Sequence, residues 1–146
     1  MQPLQFLVPL DQLAAVEPIV PIAILVMVLA NFATRFMAHR SHVQQAEDGA
    51  DELSRYLPHS ITSGGLVLLS FLYLVIEPHG GMVMSVLVVG MFLTDFFEFE
   101  ARNVEARNDR KLDRPNGALT ASVVVFLYAA YQALFFLIAD VWNLVV

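Results

Sequence analysis

The chain contains no cysteine among its 146 residues. Without a thiol it cannot form a disulfide, a thiolate metal centre or a cysteine nucleophile, which excludes membrane disulfide oxidoreductases and thiol enzymes. Charge is also scarce, because only 15% of the residues are charged while 58% are hydrophobic. A water-soluble domain usually carries about 25% charged residues. The composition therefore indicates a protein embedded in a membrane.

Lysine and arginine are missing from three long stretches, residues 1–34, 56–101 and 115–146, and these stretches hold every long apolar run. All eight basic residues fall between them, in residues 35–55 and 102–114. Cytoplasmic loops of membrane proteins retain Lys and Arg, whereas translocated loops lose them. The distribution predicts that both basic stretches lie on the cytoplasmic side.

The charge balance argues against a nucleic-acid partner. Fourteen acidic residues against eight basic ones give a net charge of −6, whereas binding to a phosphate backbone needs an excess of positive charge. The expected surroundings are the lipid bilayer of the cell membrane.

Four apolar runs are long enough to cross a bilayer, and the predicted spans are 19–38, 60–76, 81–97 and 118–138. The link at 77–80 is too short for anything but a tight hairpin, for which Pro78 and the pair Gly80 and Gly81 supply turn chemistry. The predicted fold is an all-α transmembrane four-helix bundle that forms a single membrane domain over residues 1–146.

Four crossings place the inner loops, 39–59 and 98–117, on the cytoplasmic side and both termini on the outer side. The apolar segment 3–16, broken by Pro9 and Asp11, is too short to span and is predicted to be a short interfacial segment at the membrane surface.

The inner loops are predicted to be partly helical. In the first loop, apolar residues recur at spacings of three and four, as on one face of a helix: Val43, Ala46, Ala50, Leu53 and Leu57. In the second loop, the third helix is expected to continue to about residue 110. These two apolar stripes either pack together or receive a partner, and the sequence leaves both alternatives open.

Polar side chains within the spans have two interpretations. Asn31 and Gln132, with Tyr128 nearby, either hydrogen-bond between helices or line a path for a substrate. Small multidrug transporters also have four short spans, but their pattern requires a membrane-embedded Glu in the first helix. No acid occurs between Glu17 and Arg35, which argues against proton-coupled export of that kind.

The inner ends of the first and third spans carry the densest polar chemistry. Imidazoles and carboxylates converging there could bind zinc or iron, and the candidate ligands are His39, His42, His59, Asp95 and Glu98. No metal-binding motif of defined spacing accompanies them. All four histidines lie at or beyond span ends, which argues against membrane haem, and no cofactor is predicted.

The favoured interpretation of the same region is an interfacial charge network. Its predicted members are Arg35, Asp95, Glu98 and Arg102. Arg35 falls in the last turn of the first span, where a long side chain is expected to reach the interface.

The chain also resembles small, uncharacterised multi-span integral membrane proteins of halophilic archaea. The resemblance rests on TRFMAHRSH (34–42), GMFLTDFFEFEARNVEAR (90–107) and YAAYQALFFLIADVWN (128–143). It implies a setting but no activity or catalytic residue.

Three functions follow from these observations. The leading hypothesis is a non-enzymatic structural or accessory membrane component that uses its cytoplasmic helical loops to contact a protein partner or a second copy. The alternative is a small oligomeric transporter or channel. The third is a membrane metalloenzyme with an inner-face His and carboxylate site.

Overall fold

The computed structural model describes residues 15–50 and 52–145, and it is helical almost throughout. The helices are α1 (Val20–Glu47), α2 (Leu57–Ile76), α3 (Pro78–Arg107) and α4 (Asn116–Val145). All four are long and apolar enough to cross a membrane, which confirms four span-length helices. The predicted interfacial segment at 3–16 lies largely outside the described residues.

The helices form an up-down-up-down bundle. Helix α1 packs against α2 and α4, and α3 packs against the same two helices, so neighbours in sequence are neighbours in space. Short links make consecutive helices antiparallel. The C-terminal ends of α1 and α3 therefore meet the N-terminal ends of α2 and α4 at one end of the bundle, here called the basic end because it carries all the Lys and Arg residues.

The interior is narrow and the lipid-facing surface is apolar. One face of α1 is buried at spacings of three and four residues, as listed here: Val20, Ile24, Val28, Asn31, Arg35, Ala38 and His42. On α4 the buried positions include the small residues Ala118, Ser122, Ala129 and Ala133, which allow close helix approach. Large side chains such as Leu68 and Val86 point outward, as a hydrocarbon environment favours.

A second, smaller core lies beyond the predicted spans and joins the two inner loops. Leu53, Phe99, Ala106 and Leu112 are buried together, with Val43 and Ala46 packed against them. The apolar stripes of the two loops thus pack on each other. We call this unit, made of residues 39–50, 52–57 and 98–115, the cap.

The predicted helical stripe of the first loop is wrong beyond residue 47. Gly49 has φ 89°, and its N–H donates to Ala46 O while the N–H of Ala50 donates to Gln45 O. This pair of bonds is a Schellman motif, which ends a helix at a left-handed residue. Leu53 still reaches the small core, whereas Leu57 is exposed at the start of α2.

The hairpin between α2 and α3 is tighter than predicted. Glu77 alone separates the two helices, and Pro78 is the first residue of α3, where proline is well tolerated. Gly80 and Gly81 lie inside α3 and are buried. A Cβ at Gly81 would overlap the backbone of Leu74. The glycine pair therefore serves close packing of α2 and α3, and its predicted role in the turn is wrong.

Candidate functional site

A buried ion pair lies near the basic end, between α1 and α3. Arg35 donates from Nε to Asp95 Oδ1 at 3.2 Å and from Nη2 to Asp95 Oδ2 at 2.6 Å. Its third nitrogen, Nη1, donates to the hydroxyl of Ser122 on α4. Arg35 is 1% exposed and Asp95 is 16% exposed. One guanidinium thus joins three helices. Its contact with Asp95 is bidentate, the geometry that makes Arg–carboxylate pairs strong.

The expectation that Arg35 extends to the membrane interface is wrong. Its side chain turns into the bundle because Asp95 and Ser122 offer it fixed acceptors there. A buried guanidinium is stable only when such acceptors replace its water.

A chain of hydroxyl, imidazole and amide groups continues from this pair toward the middle of the bundle. His59 Nε2 lies 3.4 Å from Asp95 Oδ2, and His59 Nδ1 is 2.9 Å from Thr34 Oγ1. Thr34 Oγ1 is 3.0 Å from Thr62 Oγ1. The amide of Asn31 donates to Thr62 Oγ1 at 2.9 Å and to Ser63 Oγ at 3.0 Å. Asn31 therefore takes part in interhelical bonding between α1 and α2.

A second polar cluster lies at the opposite end of the bundle. Tyr73 donates its hydroxyl proton to Gln132 Oε1 at 2.8 Å, and Gln132 Nε2 donates to the hydroxyl oxygen of Tyr128 at 3.0 Å. Buried apolar side chains separate this cluster from Asn31: Ile24, Val28, Leu66, Met84, Val88, Met91 and Val125. The three residues predicted to share a path or a packing role, Asn31, Tyr128 and Gln132, thus fall into two separate groups.

His42 and Arg102 hold the cap together. His42 Nδ1 accepts from Arg102 Nη1 at 3.2 Å, and His42 Nε2 donates to Ser54 O at 3.1 Å. His42 lies four residues beyond the predicted span. Burial, together with the nearby charge of Arg102, lowers the pKa of His42 to about 4. A neutral ring can accept from Arg102 and donate to Ser54 at once, which a protonated ring cannot do.

Glu98 has a different partner from those predicted. Its Oε1 accepts from the backbone N–H of Ala118 at 3.1 Å. The first N–H groups of a helix have no intrahelical acceptor, and a carboxylate at this end also complements the helix dipole. Glu98 therefore caps the start of α4. Of the four residues predicted to form one charge network, only Arg35 and Asp95 pair with each other.

The candidate metal ligands are distributed over separate places. His59 faces Asp95, His42 is bonded to Arg102, and Glu98 caps α4. His39 lines a different cavity from His42 and His59. Within the described parts of the chain, no group of three His, Asp or Glu residues is placed to hold a metal ion.

Several open cavities lie at the basic end, and two of them bear on function. The first, about 610 Å³, is formed by the cap alone and is here called the cap cleft. The second, about 550 Å³, lies between α1, α2 and α3 beside the Arg35–Asp95 pair and is here called the interface cavity. Both volumes are within the usual range for ligand sites, roughly 300–1,000 Å³.

Sequence reasoning missed several residues of this region. Ser122 and Arg55 were not among the predicted site residues. Asn103 was not singled out, although its Oδ1 accepts from the backbone N–H of Leu53 at 2.7 Å. Asn103 lies four residues after Phe99 and three before Ala106, on one helix face with both, and a polar residue on that apolar face was a usable signal.

These features together fit the class of multi-pass helical membrane proteins. Within that class, a family model described as "Domain of unknown function (DUF7313)" matches residues 2–146. The chain belongs to that family. Comparison with curated proteins and with solved structures gave no match.

Proposed function

We propose that the protein is an accessory component of the cell membrane, with its basic end in the cytoplasm and both termini outside, that binds a partner protein through its cap. The observation that carries this proposal is the cap cleft. Its floor contains apolar side chains of α1 and α3, including Val43 and Ala106, and Leu112 of the following loop. A recess of this kind, on the side that the basic residues assign to the cytoplasm, suits a partner's side chain.

The cap supports binding because it is already ordered. Its own small core, the Leu53–Asn103 bond and the His42–Arg102 bond hold the two loops in one arrangement. A preformed surface loses less conformational entropy on association than two mobile loops would.

The charges around the cleft define the chemistry of the partner. Arg110, Lys111 and Arg114 line it, against the acids Glu47 and Asp109. A partner that fits this cleft carries an apolar side chain flanked by acidic residues. Opposite charges at the rim of an interface guide association and set its orientation.

The two polar clusters favour this function over transport. A path through one copy would have to pass the buried apolar side chains between Asn31 and Gln132. Ser70 and Ser85 lie in that layer, but each hydroxyl donates its proton to a backbone carbonyl, Ser70 to Val67 O at 2.8 Å and Ser85 to Ser70 O at 3.0 Å.

Site-specific photo-crosslinking in intact cells tests the proposal. A benzoylphenylalanine introduced in place of Lys111 should give one discrete adduct with another polypeptide, while the same residue in place of His79, at the hairpin tip, should not. Adding Arg110→Glu should reduce the adduct because it reverses charge at the cleft, whereas Arg40→Glu, exposed on α1 outside the cleft, should leave it unchanged. An adduct with a second copy only, or equal adducts from both positions, would overturn the proposal.

A further inference from the structure

The interface cavity combines basic groups with an apolar wall. Ser63 and Gly64 of α2 and Phe92 and Phe96 of α3 line its deeper part and belong to the predicted spans. Arg55 and Arg102, together with His42 and Tyr56, line the part beyond them. The cavity therefore crosses the level at which hydrocarbon gives way to lipid headgroups.

Arg102 is a buried cation without a carboxylate partner. It is 8% exposed, and within the described ranges its side chain makes one hydrogen bond, which it donates to the neutral ring of His42. Among the described residues, no carboxylate oxygen lies within 4 Å of its guanidinium. A buried charge of this kind is costly unless something pairs with it, and His42 leaves most of its donors free for a ligand.

The nearest acids are already engaged with other groups. Asp95 is bonded at both oxygens to Arg35. Glu98 accepts from the N–H of Ala118, and Glu105 accepts from the N–H of Asp113 at 3.1 Å. The second oxygen of Glu98 is buried without a hydrogen-bond partner, and none of the three carboxylates makes an ion pair with Arg102 within 4 Å. Arg102 therefore has donors free for an anion from outside the described part of the chain.

A second arginine stands at the mouth of the same cavity. The guanidinium of Arg55 lies 4.3 Å from the ring centroid of Phe99 and 5.3 Å from that of Phe96. Among the described residues, its acidic neighbour within 4 Å is Glu100, at 3.8 Å, in a pair that is about half exposed, and such pairs bind weakly. Stacking on two rings holds Arg55 in place and leaves its planar edge available to a phosphate.

We infer that the interface cavity binds one anionic phospholipid from the leaflet at the basic end. Arg102 and Arg55 hold the headgroup phosphate, and an acyl chain lies along Phe92, Phe96 and Gly64 between α2 and α3. Asp95, His59 and Ser60 also line the cavity, but most of its lining surface is apolar. A phospholipid fits better than a soluble anion because this mainly apolar wall lies at the level of the spans. Basic pockets between transmembrane helices are known to receive anionic headgroups in this way. The inference is independent of the partner protein proposed for the cap cleft.

Native mass spectrometry of the purified protein in detergent, with added dioleoyl phosphatidylglycerol or dioleoyl phosphatidylcholine, tests this binding. The phosphatidylglycerol should be retained as a single tight molecule and the phosphatidylcholine should not. Arg102→Gln should weaken phosphatidylglycerol binding about tenfold or more, because it removes charge-assisted hydrogen bonds. Inorganic phosphate, added as a soluble competitor, should displace little of the lipid.

Two further variants make the result decisive. Arg40→Gln removes an exposed basic residue of α1 that does not line the cavity, and it should leave lipid binding unchanged. Arg55→Gln changes a half-exposed side chain, so it should preserve the fold and should weaken binding severalfold even if Arg102→Gln fails to fold. Equal retention of the two lipids, full displacement by phosphate, or equal losses with Arg40→Gln and Arg55→Gln would overturn the inference.

Discussion

Arg35 and Asp95 meet through two hydrogen bonds, at 3.2 Å and 2.6 Å, inside a bundle whose outer surface is apolar. The pair connects α1 to α3, which are diagonal in the bundle, and Ser122 extends the connection to α4. The three helices are thereby fixed in register by one guanidinium.

Replacing Asp95 by Asn should therefore destabilise the bundle strongly. The variant leaves the charge of Arg35 buried without its counter-charge, and the expected loss in the free energy of unfolding is about 3 kcal/mol. Unfolding by dodecyl sulfate in mixed micelles, followed by circular dichroism, measures it. The matched control is Glu100→Gln, which breaks the exposed contact with Arg55 and should cost less than about 1 kcal/mol. Similar losses in the two variants would contradict the structural role of the Arg35–Asp95 pair.

Gly81 should tolerate no side chain, because even a methyl group would meet the backbone of Leu74. Gly81→Ala is expected to lower the free energy of unfolding by about 2 kcal/mol or more, since the α2–α3 hairpin must open to accept it. Gly90→Ala, in the same helix, is the control, as its Cβ would enter open space. It should be neutral or should stabilise α3 by up to about 1 kcal/mol. The same unfolding assay compares the two, and equal effects would contradict the close approach.

The stability of the cap should fall in mild acid. Burial and Arg102 lower the pKa of His42 from its usual 6.5 to about 4, and the charges of His39 and His59 act in the same direction, while the bond to Ser54 opposes them. The unfolded cap then binds a proton at a higher pH than the folded cap does. The contribution of neutral His42 to the stability of the cap is fully present above pH 6.5, and it is lost as the pH falls from 6.5 toward 4.

Hydrogen exchange at the cap amides, corrected for the intrinsic pH dependence of exchange, would follow this loss. His42→Gln keeps a neutral donor and acceptor and should flatten the profile. Some slope remains because burial also lowers the pKa of His39. His79→Gln, at the other end of the bundle, should keep the full slope. A wild-type profile that is flat between pH 6.5 and pH 4 would refute the prediction.

The orientation can be tested with single cysteines, because the chain has none of its own. In intact cells, a membrane-impermeant maleimide should label His79→Cys at the hairpin tip and should not label Lys111→Cys in the cap. Permeabilised cells should show labelling of both. The reverse pattern in intact cells would contradict the orientation that the basic residues predict.

The existence and order of the helices could be predicted because both depend on local features. Long apolar runs identify the spans, and short links force neighbouring helices to pack. The buried faces could not be predicted in the same way. Lipid and core both favour apolar side chains, so the alternation of apolar and polar residues that marks the buried face of a soluble helix is weak here. On α1, the face that carries Asn31, Arg35 and His42 is the buried one, contrary to the pattern of a soluble helix.

The site was only partly predictable because its bonds join residues distant in sequence. The sequence placed Arg35 and Asp95 at the same depth, but nothing in it showed that Arg35 turns inward to meet Ser122, 87 positions away. Glu98 was assigned to a charge network because it lies near Arg102 in sequence. Glu98 instead accepts a hydrogen bond from the backbone of α4, because the first turn of that helix lies beside it.

The apolar layer between the two polar clusters also has an electrical consequence. A membrane voltage falls mainly across the part of a protein that excludes water and ions, and each elementary charge crossing 100 mV is worth about 2.3 kcal/mol. Arg35 and Asp95 lie to one side of that layer and carry opposite charges. Voltage should therefore exert little net force on the pair, and we expect the bundle to keep the same arrangement in energised and de-energised membranes.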